Sequence, residues 1–329
     1  MNYIGSKFSL LGFLDESISS VVGGDLSNLT FCDMFAGTGV VGTYFKNCVK
    51  KLIANDIEPY SYALNNHYIK NDLDENNLEN LVNKYANLPP KKGKIFEFYA
   101  PGGGNGRQYF SDENACRIDA IRQGISELKP DSNEYFAMIA SLLESADMVA
   151  NTASVYGAFL KIFKKTAIKP LNFSLAKFTP PLRQNEVYMA DANKLIEKIS
   201  GDILYLDPPY NHREYGANYH LLNTITLYDD FVPRGKTGLR EYKKSLWCKK
   251  QTVMMVFQDL IKKANFKYIF LSYNNEGLMS EVQIREILSR YGRYDLVKRQ
   301  HQRFRADKEQ NRNHKANSTL EYLHILEKF

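Results

Sequence analysis

Leu29-Thr30-Phe31-Cys32-Asp33-Met34-Phe35-Ala36-Gly37-Thr38-Gly39-Val40-Val41-Gly42 is an apolar run closed by a glycine turn, and Thr43 to Lys46 continue it with helical character. The pattern reads as strand, tight turn, helix. A second apolar stretch, Lys51 to Ala54, ends on Asn55-Asp56. After Ile57-Glu58-Pro59, the residues from Tyr60 to Ile69 are again helix-like. A β-α-β unit of this kind predicts an α/β fold with a parallel sheet and right-handed crossovers.

The alternation of strand and helix then stops. Asn71 to Pro90 is polar and Asn-rich, and Ala100 to Gly106 carries too much Gly and Pro for regular structure, so both read as loops. Ile118, Ile121, Ile125 and Leu128 fall at helical spacing, and Asp131 with Glu134 predicts the cap of a helix over Tyr135 to Val149. After Pro180-Pro181 the α/β pattern resumes. Glu186 to Met189 is a strand, Ala192 to Ile199 a helix, and Ile203 to Leu206 a strand running into Asp207-Pro208-Pro209-Tyr210. Further along, Met254 to Ala264 and Ser280 to Tyr291 are helical in pattern. Tyr268 to Tyr273, Asp295 to Gln300 and Leu320 to Glu327 are strands. The expected organisation is one α/β domain, residues 1–69 and 185–329, interrupted by a mainly helical insertion, residues 70–184.

The 329 residues are 44% hydrophobic, 24% charged and 13% aromatic, the composition of an ordered chain. No apolar run approaches the roughly 18 residues of a membrane span, and no secretory signal is expected at the N-terminus. Four cysteines without C-x-x-C spacing argue against zinc and against a disulfide framework. The expectation is a reduced, cytoplasmic protein with no metal.

Gly37-x-Gly39-x-x-Gly42 fits a nucleotide-cofactor turn, with an acid, Asp56, at the end of the next strand. Glycines let a ligand approach the backbone, and the helix N-terminus attracts an anion, either a pyrophosphate or the carboxylate of a methionine moiety. Asp56 suits both ribose hydroxyls in either case. Asp207-Pro208-Pro209-Tyr210 decides between the two. A Pro-Pro pair lacks N–H groups, which leaves the Pro208 carbonyl unpaired beside the Asp207 carboxylate. Two acceptors side by side match an exocyclic amine with two hydrogens, and Tyr210 offers the ring carrying that amine a stacking surface.

With Asn2-Tyr3-Ile4-Gly5-Ser6-Lys7, Asp33 to Gly39, Asn55-Asp56 and Asp191, these motifs run in the order seen in the Dam-like, alpha-class adenine-N6 DNA methyltransferases, which the whole chain resembles. The resemblance implies a Rossmann-like methyltransferase sheet that uses S-adenosylmethionine, with residues 70–184 as the target recognition domain. It implies that Tyr3 and Lys7 line the cofactor pocket and that Phe35, Ala36 and Gly37, in a turn shared with Asp33, Thr38 and Gly39, meet the methionine part. Asp56 would hold the ribose and Asp191 the cofactor's adenine amine. Asp207, Pro208, Pro209 and Tyr210 would hold a flipped adenine. Tyr109 to Asn114 with Ile118-Asp119, Ser154 to Lys161, and Asn211-x-Arg213-x-Tyr215 resemble the modification enzymes of type II restriction systems, and the size resembles the group that methylates CATG.

Lys+Arg exceed Asp+Glu by 43 to 37, a net charge of +6. Lys161, Lys164, Lys165, Lys169 and Lys177 crowd the end of the insertion. Arg234, Lys236, Arg240, Lys243, Lys244, Lys249 and Lys250 follow the D-P-P-Y element, and Arg299, Arg303, Arg305 and Arg312 crowd the last hairpin. With Arg213 these are expected to contact the phosphates of double-stranded DNA. A restriction endonuclease is an expected functional partner. The alternatives are an NAD-dependent oxidoreductase, a DNA-binding protein without catalysis, and methyltransferases acting on RNA adenine, cytosine-N4 or protein glutamine. The oxidoreductase leaves D-P-P-Y without a role. The absence of any Pro-Cys pair disfavours cytosine-C5 chemistry.

Overall fold

The computed structural model describes Tyr3, residues 5–302 and residues 318–329, and forms two compact units. One unit holds residues 5–57, 181–214 and 244–329; the other holds 1–4, 58–180 and 215–243.

The first unit is built on a seven-stranded sheet of order β3-β2-β1-β4-β5-β7-β6. The strands are β1 (Thr30–Asp33), β2 (Lys51–Asp56), β3 (Glu186–Met189), β4 (Ser200–Leu206), β5 (Asn265–Asn274), β6 (Gly292–Gln302) and β7 (Ser318–Lys328). The expected parallel sheet is found in β3-β2-β1-β4-β5, and β7 and β6 close it as an antiparallel pair. This is an α/β, Rossmann-like sheet. Strand order reverses between β1 and β4, so the crevice beyond their carboxyl ends is where such sheets bind ligands.

Period-two alternation distributes the two faces. Cys32, Leu204, Leu206, Ile269 and Leu271 face a core with Val256, Phe257, Leu260 and Ile261 from α11 (Val253–Lys263) and Ile284 and Leu288 from α12 (Glu281–Leu288). On the other face Phe31 stacks on Phe45 of α2 (Val40–Phe45) at 4.7 Å and on Tyr205 at 6.3 Å. α1 (Leu11–Val22) and the short α8 (Ala192–Leu195) complete this unit. α8 is shorter than the expected Ala192 to Ile199.

The second unit is helical: α3 (Pro59–Asn65) with a π turn over Asn66–Lys70, α4 (Glu75–Ala86), α5 (Lys94–Tyr99), α6 (Asp112–Ile125), α7 (Asn133–Val149), α9 (Tyr215–Asn218) and α10 (His220–Leu227). Three local expectations need correction. The Asn-rich stretch after Asn71 contains α4, whose N-cap Asp74 accepts from the Asn76 N–H and whose Leu78, Val82 and Tyr85 are buried at helical spacing. The cap of α7 is Ser132, not Asp131. Ser132 accepts from the Tyr135 N–H, while Asp131 occupies a left-handed conformation at φ 62°. The glycine run carries a 3-10 turn, Pro101–Gly103, and is tied down: the Gly102 N–H donates to Asp112 at 2.8 Å and Asn105 to the Glu97 carbonyl at 2.8 Å. Among the described residues, no helix is long and apolar enough to cross a membrane.

Candidate active site

The glycine turn leaves β1 at Asp33. Gly37 and Gly39 hold φ of 52° and 80°, which only glycine adopts without strain, and α2 starts directly after Gly39. Three strand ends are locked here by Asn55, which is 2% exposed. Its amide donates to the carbonyls of Met34 and Ala190, both at 3.1 Å, and accepts from the Ala190 N–H at 3.1 Å; its own carbonyl accepts from the Ala36 N–H at 2.8 Å. The adjacent Asp56 carboxylate takes the Gly37 N–H at 2.8 Å, so a donor expected to face a ligand instead fixes the turn. Phe35 lies edge-on to Trp247 with centroids 5.0 Å apart.

Asp207 sits one residue beyond β4, beside the end of β1. Its Oδ2 lies 2.8 Å from the Lys7 ammonium, with the side chains 19% and 6% exposed respectively. Lys7 also donates to the Gly5 carbonyl at 3.3 Å. Burial raises the Asp207 pKa, while the Lys7 charge and hydrogen bond pull it down without cancelling the rise. Burial works against the Lys7 charge, but Asp207, Glu321 and Tyr210 outweigh it, and its pKa is raised. Among the described residues, no donor is bonded to the Pro208 carbonyl. The Tyr210 ring stands edge-on to Tyr273 at 6.4 Å, and its carbonyl accepts from the Leu278 N–H at 3.0 Å.

Asp33 pairs in register with Tyr205, which places its side chain on the same face as Asp207. It is 1% exposed, and among the described residues neither carboxylate oxygen makes a hydrogen bond of good geometry, although the Gly42 N–H is near enough to favour the charged form. Burial first, then the charges of Asp207 and Asp56, push its pKa up to about 8.

The sheet edge therefore gathers Lys7, Asp33, Asp56, Asp207 and Tyr210. Tyr3 belongs to the helical unit, where its hydroxyl is 2.8 Å from that of Tyr60 and its ring stacks on Tyr219 at 4.6 Å. Asp191 is exposed and caps α8 through the Lys194 N–H at 3.2 Å. Lys161, Lys165 and Arg213 are exposed. Lys164 is half-buried and donates to the Thr152 carbonyl at 3.2 Å. Arg240 has to be removed from the expected phosphate contacts, because it is 9% exposed and paired with Asp229 at 2.9 Å. Arg303, Arg305 and Arg312 lie outside the described residues.

Two residues escaped the sequence reading. In the sequence Asn55 stands out only as a neighbour of Asp56. Glu321 lies on β7 opposite Asn274, on the strand face that carries Leu323 and Ile325, and an acid out of phase in an apolar alternation was the signal available.

The chain is 59% identical to the type II methyltransferase M.NlaIII of Neisseria lactamica, over all of this chain and 99% of that one. It is 40% identical to M.CviAII of Paramecium bursaria Chlorella virus 1, over 93% of each chain. It is also 37% identical to M.FokI of Planomicrobium okeanokoites, over this whole chain and 53% of that one. A carboxylate and a bare carbonyl stand at the end of β4 beside a glycine turn, and residues 3–287 match a family model: the chain belongs to the D12 class of N6-adenine-specific DNA methyltransferases.

Proposed function

We propose that the protein is the modification enzyme of a type II restriction system, methylating an adenine flipped out of duplex DNA, with CATG as its target. S-adenosylmethionine supplies an electrophilic methyl group on a sulfonium. The residues present suit that group: Asp56 at the end of β2 for a ribose diol, Phe35 as an apolar surface, and the enclosed Asp33 carboxyl, whose oxygens make no hydrogen bond among the described residues, for a polar group of the cofactor. Asp207 and the Pro208 carbonyl accept the two amino hydrogens of the target adenine, Pro209 keeps the turn extended, and Tyr210 supports the ring. Accepting both hydrogens favours a more pyramidal, more nucleophilic nitrogen, and the remaining gain comes from positioning. No covalent intermediate is needed. The observation that carries this reading is the Pro208 carbonyl, without a donor among the described residues, next in the chain to a carboxylate held by Lys7.

Residues 70–184 serve as the target recognition domain, Asp191 and the turn from Asp33 to Gly39 complete the cofactor site, and the enzyme acts in the cytoplasm alongside a cognate endonuclease. Asp207→Ala is expected to abolish transfer of tritiated methyl groups to duplex DNA while calorimetry still detects cofactor binding; turnover within a few fold of normal would remove its role. Asp56→Ala is expected to weaken cofactor binding by roughly tenfold or more, the value of one or two hydrogen bonds to a charged acceptor. Methylation-sensitive sequencing of DNA from expressing cells should find N6-methyladenine in CATG, and methylation at another motif would refute that target.

A further inference from the structure

Glu321 is the charged group at the sheet edge that the reaction so far leaves idle. Leu206, the residue before Asp207, pairs with Leu271 on β5, and Leu271 pairs with His324 on β7. Glu321 lies three residues from His324 and Asp207 one residue from Leu206, so alternation puts both acids on the same face, the face of Asp33 and Tyr205. Only β5 separates them: Asp207 is level with Ser272 and Glu321 with Asn274, which is roughly 10 Å across the strands and roughly 7 Å along them, or about 12 Å between backbones. Glu321 is partly buried, and among the described residues its carboxylate makes no hydrogen bond or ion pair. Burial raises its pKa, the Lys7 charge lowers it, and Asp207 raises it again, while Tyr210 lies within electrostatic reach of all three groups.

Asp207 has two claimants. Its Oδ2 holds the Lys7 ammonium, yet the proposed reaction requires that carboxylate to accept from the adenine amine. An ammonium left in contact drains charge from the acceptor. One that departs from a site only 6% exposed needs a second anion, because an unpaired buried charge is costly. We propose that Glu321 is a positioning residue that receives the Lys7 ammonium when the target amine takes its place on Asp207. The inference rests on the assignment of Asp207 made above, and it gives Lys7 two stations along one sheet edge.

The test is a double-mutant cycle read by single-turnover methyl transfer to adenine-unmethylated plasmid DNA, with cofactor affinity measured by calorimetry. Glu321→Gln keeps the shape and removes the charge. It is expected to slow methyl transfer roughly 10-fold or more, with cofactor affinity within twofold of wild type and recovery of most of the rate in Glu321→Asp. Because Glu321 acts through Lys7, adding Glu321→Gln to Lys7→Gln should slow the reaction no further. A wild-type rate in Glu321→Gln, or losses that multiply in the double variant, overturns the proposal. If Glu321→Gln does not fold, the same cycle with Glu321→Asp is expected to show a smaller loss that vanishes in the Lys7→Gln background, and multiplying losses there again overturn it. Normal transfer by Asp207→Ala would instead sink the underlying assignment, so the two failures are distinguishable.

Discussion

Asp33 is a buried carboxyl group that makes no hydrogen bond of good geometry among the described residues, and the charges of Asp207 and Asp56 act on it. Held at a pKa of about 8 against 3.8 in the unfolded chain, it stays protonated in the native state across a window where the unfolded chain has released the proton. The linkage sign follows: the native state binds more protons between roughly pH 4 and 8, so stability falls as pH rises through that window, at most about 1.4 kcal/mol per pH unit from this group. His220 and His324, buried and neutral with pKa values lowered to about 4, act in the opposite sense: their contribution is full above 6.5 and lost as pH falls toward 4. The clean observable is therefore the difference between wild type and Asp33→Asn in urea unfolding at pH 5, 6.5 and 8. The variant should gain on the wild type as pH rises, reaching a few kcal/mol at pH 8 on an order-of-magnitude basis. A pH-independent difference would show that Asp33 is not protonated in the fold. The local chemistry of this edge was legible because its parts are contiguous in the chain, glycine turn in one stretch and Asp207 to Tyr210 in another. Glu321 and Asn55 act between strands far apart in sequence, and no spacing rule joins them.

At the scale of elements, the helical unit shows how buried polar groups substitute for local caps. Gly93, the residue before α5, has no side chain to offer the helix N-terminus. Asp119 of α6 does the work instead, accepting from the N–H groups of Gly93, Ile95 and Phe96 at 2.8–2.9 Å and from the Tyr228 hydroxyl at 2.7 Å. Arg122 on the same helix serves the other kind of end, donating to the Ile225 carbonyl at 2.7 Å and the Thr226 carbonyl at 2.9 Å near the last turn of α10. Removing Asp119 strands several enclosed donors at once, so Asp119→Ala is expected to cost about 3 kcal/mol or more in chemical denaturation. A loss below about 1 kcal/mol would mean that water replaces the carboxylate. None of this was readable beforehand: α5 lacks a local start signal, and its cap comes from a residue more than twenty positions away. α4 was legible in principle, since Leu78, Val82 and Tyr85 keep helical spacing, but the density of Asn around them suggested a loop.

For the whole molecule, the net charge of +6 overstates what is available to DNA, because several cations are spent internally. Arg107 donates to the carbonyls of Phe98, Gly235 and Lys236, Arg117 to those of Ala86 and Leu88, and Arg240 is committed to Asp229. A linear sequence cannot separate such arginines from phosphate ligands, because both occur in basic stretches; burial separates them. The exposed Lys161 and Lys165 are the stronger candidates for phosphate contacts. Each contact releases counterions, so the slope of log affinity against log salt should shrink by about 0.9 for every phosphate ligand lost. Lys161→Ala with Lys165→Ala is thus expected to reduce the slope by nearly 2 and to weaken binding similarly on all duplex sequences, leaving the melting temperature unchanged. Arg240→Gln should do the reverse, lowering the melting temperature while the salt slope stays within error. If fluorescence anisotropy across a salt series gave the steeper loss to Arg240→Gln, exposure would be the wrong guide to which cations meet DNA, and the phosphate-binding surface would have to be sought elsewhere.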